Sequence, residues 1–298
     1  MESSDYYPGK FFTIIGLNLS LFIFLFFAGC EKFDNPEMIP AYITIEKISL
    51  VDNPDITEGT LSNKIVDAWV YVDDQLIGAF EMPCTIPVLS HGMHKIDVKA
   101  GVYLNGVAST RVNYPFYSTF SIERELVPDS IITISPVVWY EKACVIPWIE
   151  DFEIGGVTIE SSPLSDTAIF KTNDPDDLFE GNYSGKVVLT TDHPYFLNYT
   201  IDEFVLPQAG SNIFLEINYK TSTNLLIGVY ANAPTQVKAL EVAGVFPTEI
   251  WKKVYINLTT VVSRETSATS FKLFFSAHLP EGQNEAIVLL DNIKLIHY

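Results

Sequence analysis

Positive charge is scarce in this chain: 18 Lys and Arg stand against 37 Asp and Glu, a formal net charge of −19. A nucleic-acid backbone or an anionic membrane surface would be repelled over most of such a protein, which excludes nucleic acid as a partner class. Catalytic signatures are missing as well. The five histidines, at positions 91, 94, 193, 278 and 297, are scattered, and there is no His-Glu-x-x-His, nucleophile elbow, P-loop or dinucleotide fingerprint. Helical periodicity of ordinary length is lacking throughout the body of the chain. Disorder is excluded by what is present: 48% hydrophobic and 13% aromatic residues give ample apolar surface to offset the entropy of ordering. At 298 residues there is room for two domains, each with its own core.

Cysteine is rare too, with three in all, an odd number that in an exported protein calls for an explanation. The N-terminus supplies one. Phe11 to Phe27 is an uncharged run, followed by Ala28, Gly29 and Cys30. Length alone leaves it open whether the run is a membrane helix or a signal core. Ala28-Gly29-Cys30 resembles the lipobox of bacterial lipoproteins, although Phe27 stands where Leu is usual and only Lys10 opposes Glu2 and Asp5. The resemblance implies a signal peptide over residues 1–29 and a mature chain beginning at a lipid-modified Cys30. Glu31 to Asp34 is similar to the export signal of outer-membrane lipoproteins of Bacteroidota. Residues 30–40 then form a tether, and acyl chains at about 0.8 kcal/mol per buried CH₂ would hold the protein at the outer membrane, with the body facing either side.

Beyond the tether, short alternating and apolar runs predict an all-β chain. Tyr42 to Ser49 alternates. Ala68 to Val72 and Leu76 to Phe80 flank Asp73-Asp74-Gln75 as a hairpin, and His94 to Ala100 alternates before Gly101. Further strands are expected at Ser109 to Phe116, Phe120 to Leu126 and Ile131 to Trp139, giving an antiparallel sandwich over residues 41–141. Gly78, Pro87, Gly92 and His94 within Ala68 to Val102 resemble the marks of PEGA-like and related immunoglobulin-like repeats, which implies a non-catalytic spacer. Alternation stops at Lys142 to Pro147, a domain boundary. Residues 142–298 carry strand signals near Lys186, Asn212, Leu225, Lys252, Ser270 and Ala286, a jelly-roll number.

Asp151-Phe152-Glu153, Ser184 to Leu189 and Ile287 to Leu295 resemble carbohydrate-binding-module and galactose-binding-like jelly rolls. That resemblance implies a structural Ca²⁺ with Glu153 and Asp291 among its ligands, the alternative being a solvent-facing acid and a turn-capping one. It requires no other cofactor. For ligand binding, alternation puts Val254, Ile256 and Leu258 on one face and Tyr255 and Asn257 on the other; Glu216, Asn218 and Tyr230 fall outward by the same reasoning. Those five residues form a candidate glycan surface, unless the face is an ordinary solvated one.

Other readings are smaller. Cys84 and Cys144 could form a disulfide or stand apart as packed residues. His91 and His94 read as a turn residue and a half-buried imidazole. Asp174, Asp176 and Asp177 share one loop, which does not suit a glycosidase pair. Asp129-Ser130-Ile131 and Asp166-Thr167-Ala168 resemble Bacteroidota O-glycosylation sites, marking Ser130 and Thr167. The expectation is a non-enzymatic lipid-anchored glycan binder, with an assembly subunit of an envelope complex as the alternative and a hydrolase third.

Overall fold

The computed structural model describes residues 38–298. The apolar run, Cys30 and the first part of the tether lie outside the described residues. Among those described, no helix is long and apolar enough to cross a membrane.

The first sandwich is built from β1 (Ala41–Ile45), β2 (Ser49–Leu50), β3 (Asp67–Val72), β4 (Gln75–Glu81), β5 (Cys84–Val88), β6 (Gly92–Tyr103), β7 (Arg111–Asn113), β8 (Phe120–Leu126), β9 (Ile131–Ile134) and β10 (Val137–Val138). One sheet runs β4-β3-β6-β7, with β8 also pairing β6, and the facing sheet runs β5-β1-β9. Ile43, Ile45 and Ile86 from one sheet and Val70, Ile96 and Val98 from the other share one buried cluster, as period-two alternation requires. The β3–β4 hairpin forms where Asp73 and Asp74 both take positive φ, at 48° and 64°, the twist that two-residue hairpin turns favour. The sheet is not purely antiparallel. β1 pairs β9 in parallel, and β2 pairs β10 in parallel, so the first and last strands of this half run side by side.

The second sandwich has two five-strand paths. One is β13 (Phe170–Thr172), β14 (Ser184–Thr190), β21 (Glu285–His297), β16 (Ile213–Thr221) and β19 (Thr248–Asn257), with β11 (Val145–Glu150) joined to β21. The other is β12 (Ile159–Ser161), β15 (Tyr195–Thr200), β20 (Ser270–His278), β17 (Leu225–Ala233) and β18 (Gln236–Val245). Leu215, Ile217 and Val254 from the first sheet and Ile227, Val229 and Phe275 from the second close a separate core. A one-turn helix, α1 (Thr259–Arg264), follows β19. In β21, Asn292 has φ +48° and the pairing with β16 slips, so Leu290 and Ile293 both reach the core while Lys294 and Ile296 turn outward.

The two sandwiches are not strung apart. Residues 40–298 form one compact unit, because Phe214, Tyr255 and Ile296 of the second sandwich sit in the apolar cluster of the first.

Candidate functional site

The outward side of β16 and β19 is covered. Glu216, Asn218 and Tyr255, three of the five residues expected to face solvent and bind glycan, are buried. Glu216 accepts hydrogen bonds from the Tyr114 hydroxyl at 2.7 Å and from the Tyr140 hydroxyl at 2.9 Å. Its other oxygen lies 3.0 Å from Lys253 Nζ. Lys294 Nζ donates to the Tyr140 hydroxyl at 3.1 Å. The Tyr255 hydroxyl accepts the Lys64 backbone N–H at 2.9 Å, Asn218 exchanges hydrogen bonds with Ser62, and Asn257 takes Asn105 Oδ1 on its backbone N–H. Burial alone would raise the Glu216 pKa, but Lys253 and Lys294 beside it bring it below the usual carboxylate value. Burial lowers Lys294 to about 8 despite the same carboxylate. Polar residues at alternate positions, which alternation reads as a wet face, are thus buried between the two sandwiches, with Glu216, Asn218 and Tyr255 hydrogen-bonded there.

The open aromatic face belongs to the other sheet. In β15, β20 and β17 the inward residues, among them Phe196, Phe271, Leu273, Phe275, Ile227 and Val229, form the core. Outward positions then fall into cross-strand rows. Tyr195 stands opposite His278, and their rings stack at 4.4 Å with planes 20° apart. Leu197, Ser276 and Leu226 make the next row, and Tyr199, Phe274 and Gly228 the one after, with Glu241 of β18 beyond. Lys272 and Tyr230 follow. Tyr230 meets Phe274 at 4.8 Å and Tyr199 edge-on at 5.9 Å, while Lys272 Nζ lies 4.9 Å from the centre of the Tyr199 ring. Glycine at 228 is required: a Cβ there would come within 2.2 Å of the Phe274 ring and 2.5 Å of the Leu240 carbonyl oxygen. Tyr195, Tyr199 and Tyr230 are half-buried and His278 is exposed. Burial raises the Tyr195 and Tyr230 hydroxyls above their ordinary pKa, so both are neutral donors. A cavity of about 810 Å³ opens at the Tyr195 and His278 end, with Leu226, Glu241, Ser276 and Gln283 among its walls.

Of the five expected ligand contacts, Tyr230 alone is on this face. Tyr195, Tyr199, Phe274 and His278 also lie on it, and none of them is among the five expected residues. The alternation Tyr195, Leu197, Tyr199 was the available signal, obscured because the intervening Phe196 is also apolar.

Glu153 binds the following loop, accepting the backbone N–H groups of Asn182 at 2.7 Å and Tyr183 at 2.9 Å. Asp291 accepts from the Ser184 hydroxyl at 2.6 Å and the Asn292 N–H at 2.7 Å. Burial, with the charges of Glu180 and Glu153, pushes Asp291 up to about 7. Among the described residues no three His, Cys, Asp or Glu side chains form a group that could hold a metal ion. Cys84 and Cys144 are free thiols rather than a disulfide. Cys84 sits on β5, whereas Cys144 is buried beside Phe116, and burial raises it to about 12. His94 bridges Asp73 at 2.6 Å and the His91 carbonyl at 3.0 Å, which makes it a brace for the hairpin turn. Asp177 is buried and paired with Lys186 at 2.6 Å, which ties the loop of Asp174 and Asp176 to β14. Ser130 and Thr167 are each partly exposed.

No protein-family model matches the chain, and no curated protein matches it. Solved structures do. One, from work on the specificity of carbohydrate-binding modules of the β-sandwich superfamily, is 13% identical over 78% of this chain and 85% of its own, with a TM-score of 0.39. A family 11 carbohydrate-binding module of a cellulosomal cellulase from Clostridium thermocellum is 13% identical over 52% of this chain and 95% of its own, with a TM-score of 0.36. A xylan-binding domain is 10% identical over 50% and 93%, with a TM-score of 0.35. With likenesses this distant, function is read from this chain's own side chains.

Proposed function

We propose that the protein is a non-catalytic glycan binder whose contact surface is the open face of β12, β15, β20, β17 and β18. The observation that carries this is the half-buried pair Tyr199 and Tyr230, backed by the buried Phe274 ring, continued by the Tyr195–His278 stack and edged by Glu241 and Asn232. Flat aromatic faces suit the C–H surfaces of sugar rings, and short polar groups suit their hydroxyls. The test is a glycan-array screen of the wild type beside a Tyr199→Ala, Tyr230→Ala double variant. Binding that the double variant loses supports the proposal, and binding it keeps removes this face from consideration.

The anchored context is part of the same reading. Residues 1–29 are a signal peptide, and Cys30 carries the lipid that holds the protein at the outer membrane; metabolic labelling with palmitate should be abolished in Cys30→Ser. Ser130 and Thr167 are its O-glycosylation sites. A structural calcium near Glu153 and Asp291 is supported by the raised pKa of Asp291, caused first by burial and added to by the charges of Glu180 and Glu153, since a divalent cation would stabilise its ionised form. The alternative, an envelope assembly subunit, is favoured by the tip of the β18–β19 hairpin, where Phe246 in the turn is 77% exposed and Ile250 on β19 68% exposed.

A further inference from the structure

A second cavity, of about 420 Å³, lies at the seam between the sandwiches and has a charge opposite to that of the molecule. Its walls include Tyr103, Phe179 and Trp251 as aromatic surfaces and Lys64, Lys252 and Lys253 as cations, with no carboxylate among them. Three other surface cavities each include at least one acidic residue: Glu141 in one, Asp177 and Glu249 in another, Glu241 in the third. In a chain of net charge −19, a cavity whose charged lining residues are all lysines is a local inversion of the field.

The lysines are not equivalent. Lys253 is buried and engaged with Glu216 at 3.0 Å. Lys64 and Lys252 are exposed, and neither side chain has an ion-pair partner among the described residues. Trp251 packs at 5.4 Å from Phe179, and its indole N–H is buried without an acceptor. A buried donor left in that state costs free energy, which an acceptor-rich ligand, or a water, would recover only by shifting the indole, because the nitrogen has no accessible surface as it stands. The nearby Ser62–Asn218 pair adds neutral polar groups to the wall.

We propose that this cavity binds a small acidic sugar, a pyranose ring carrying a carboxylate, as found at the end of a uronic-acid-containing glycan. Lys64, on the Tyr255 side of β19, takes the carboxylate through a charge-assisted hydrogen bond, Lys252 adds positive charge from the other side of that edge strand, and Trp251 and Phe179 take the ring. The volume falls within the roughly 300–1,000 Å³ of ordinary small-molecule sites. An inorganic anion would use the lysines and leave the aromatic walls idle. The site is separate from the open sheet face and does not depend on that face binding glycan.

The test is ligand-observed saturation-transfer NMR on the full chain, with glucuronate and galacturonate as probes and glucose and galactose as neutral controls. Uronates should saturate at millimolar concentration and weaken with added salt, while the neutral sugars show no saturation. A Lys64→Gln, Lys252→Gln variant, both sites being exposed, should fold as wild type and bind uronates about tenfold more weakly, the loss expected for charge-assisted contacts. The Tyr199→Ala, Tyr230→Ala variant should bind uronates unchanged. Trp251→Phe should abolish any uronate-dependent change in tryptophan fluorescence. Uronate binding that ignores the lysine substitutions, that is lost in the tyrosine variant, or that is absent in the wild type would overturn the proposal.

Discussion

The outer faces of the two sheets of the second sandwich carry similar residues and have opposite fates. On β16 and β19, Glu216, Lys253 and Tyr255 point out of one core and into another. On β15, β20 and β17, Tyr195, Tyr199 and Tyr230 point out of the same core and stop at solvent. Alternation tells which residues share a face, but what covers that face depends on another domain. The difference is visible in how polar atoms are satisfied. On the covered face, Glu216 accepts hydrogen bonds from two tyrosine hydroxyls and is ion-paired with Lys253 at 3.0 Å. On the open face, ring contacts dominate, and polar groups such as Glu241 have room for an outside partner.

Breaking the covered face should cost most. Glu216→Ala leaves Lys253 and Lys294 buried without their shared counter-charge, and denaturant unfolding should show a loss of about 3–5 kcal/mol. Tyr255→Ala empties a packed aromatic position and removes an acceptor from Lys64, also at about 3–5 kcal/mol. Its counterpart Tyr230→Ala, on the open face, should cost under about 1 kcal/mol. Equal losses for the two tyrosines would erase the distinction between the faces. Gly228→Ala falls between them, at about 1–3 kcal/mol, because the new methyl must displace Phe274 and the Leu240 carbonyl; it should also impair glycan binding.

Smaller effects come from pH. Lys294 has its folded pKa lowered from 10.5 to about 8, so between those values the unfolded chain holds more protons. Stability should therefore rise as pH increases above about 8, until the buried tyrosines, whose raised pKa values act in the opposite sense, take over near their ordinary 10.0. Lys294→Met should flatten that rise. Asp291 behaves in reverse. With its folded pKa raised from 3.8 to about 7, its contribution is complete below 3.8 and is lost as pH climbs through about 7. Asp291→Asn should remove that decline in thermal melts, and so should millimolar calcium if the cation binds there. A calcium-independent decline would remove the metal from the account.

Much of the architecture was legible from the chain. The β3–β4 hairpin announced itself through Asp73-Asp74 between apolar runs, and the strand expected at Phe120 to Leu126 is β8. β15 and β18 were not marked. The first is apolar on both sides because Phe196 enters the core while Leu197, on the other face, is also buried, and the second is an edge strand with both sides largely wet. The parallel β1–β9 pair joins segments far apart in sequence, which local alternation cannot register. Tyr230 was placed correctly as an outward residue, whereas Tyr255 was outward only with respect to its own sandwich. Asn292 adds a bulge that changes which residues of β21 face the core, invisible in the run of apolar residues around it.

The most direct measurement is amide hydrogen exchange with and without a glycan identified by the array. The account predicts slowed exchange within Tyr195–Thr200, Leu225–Ala233 and Ser270–His278, with Ile213–Thr221 and Thr248–Asn257 unchanged. Protection confined to the latter two strands, with the former three unaffected, would contradict it.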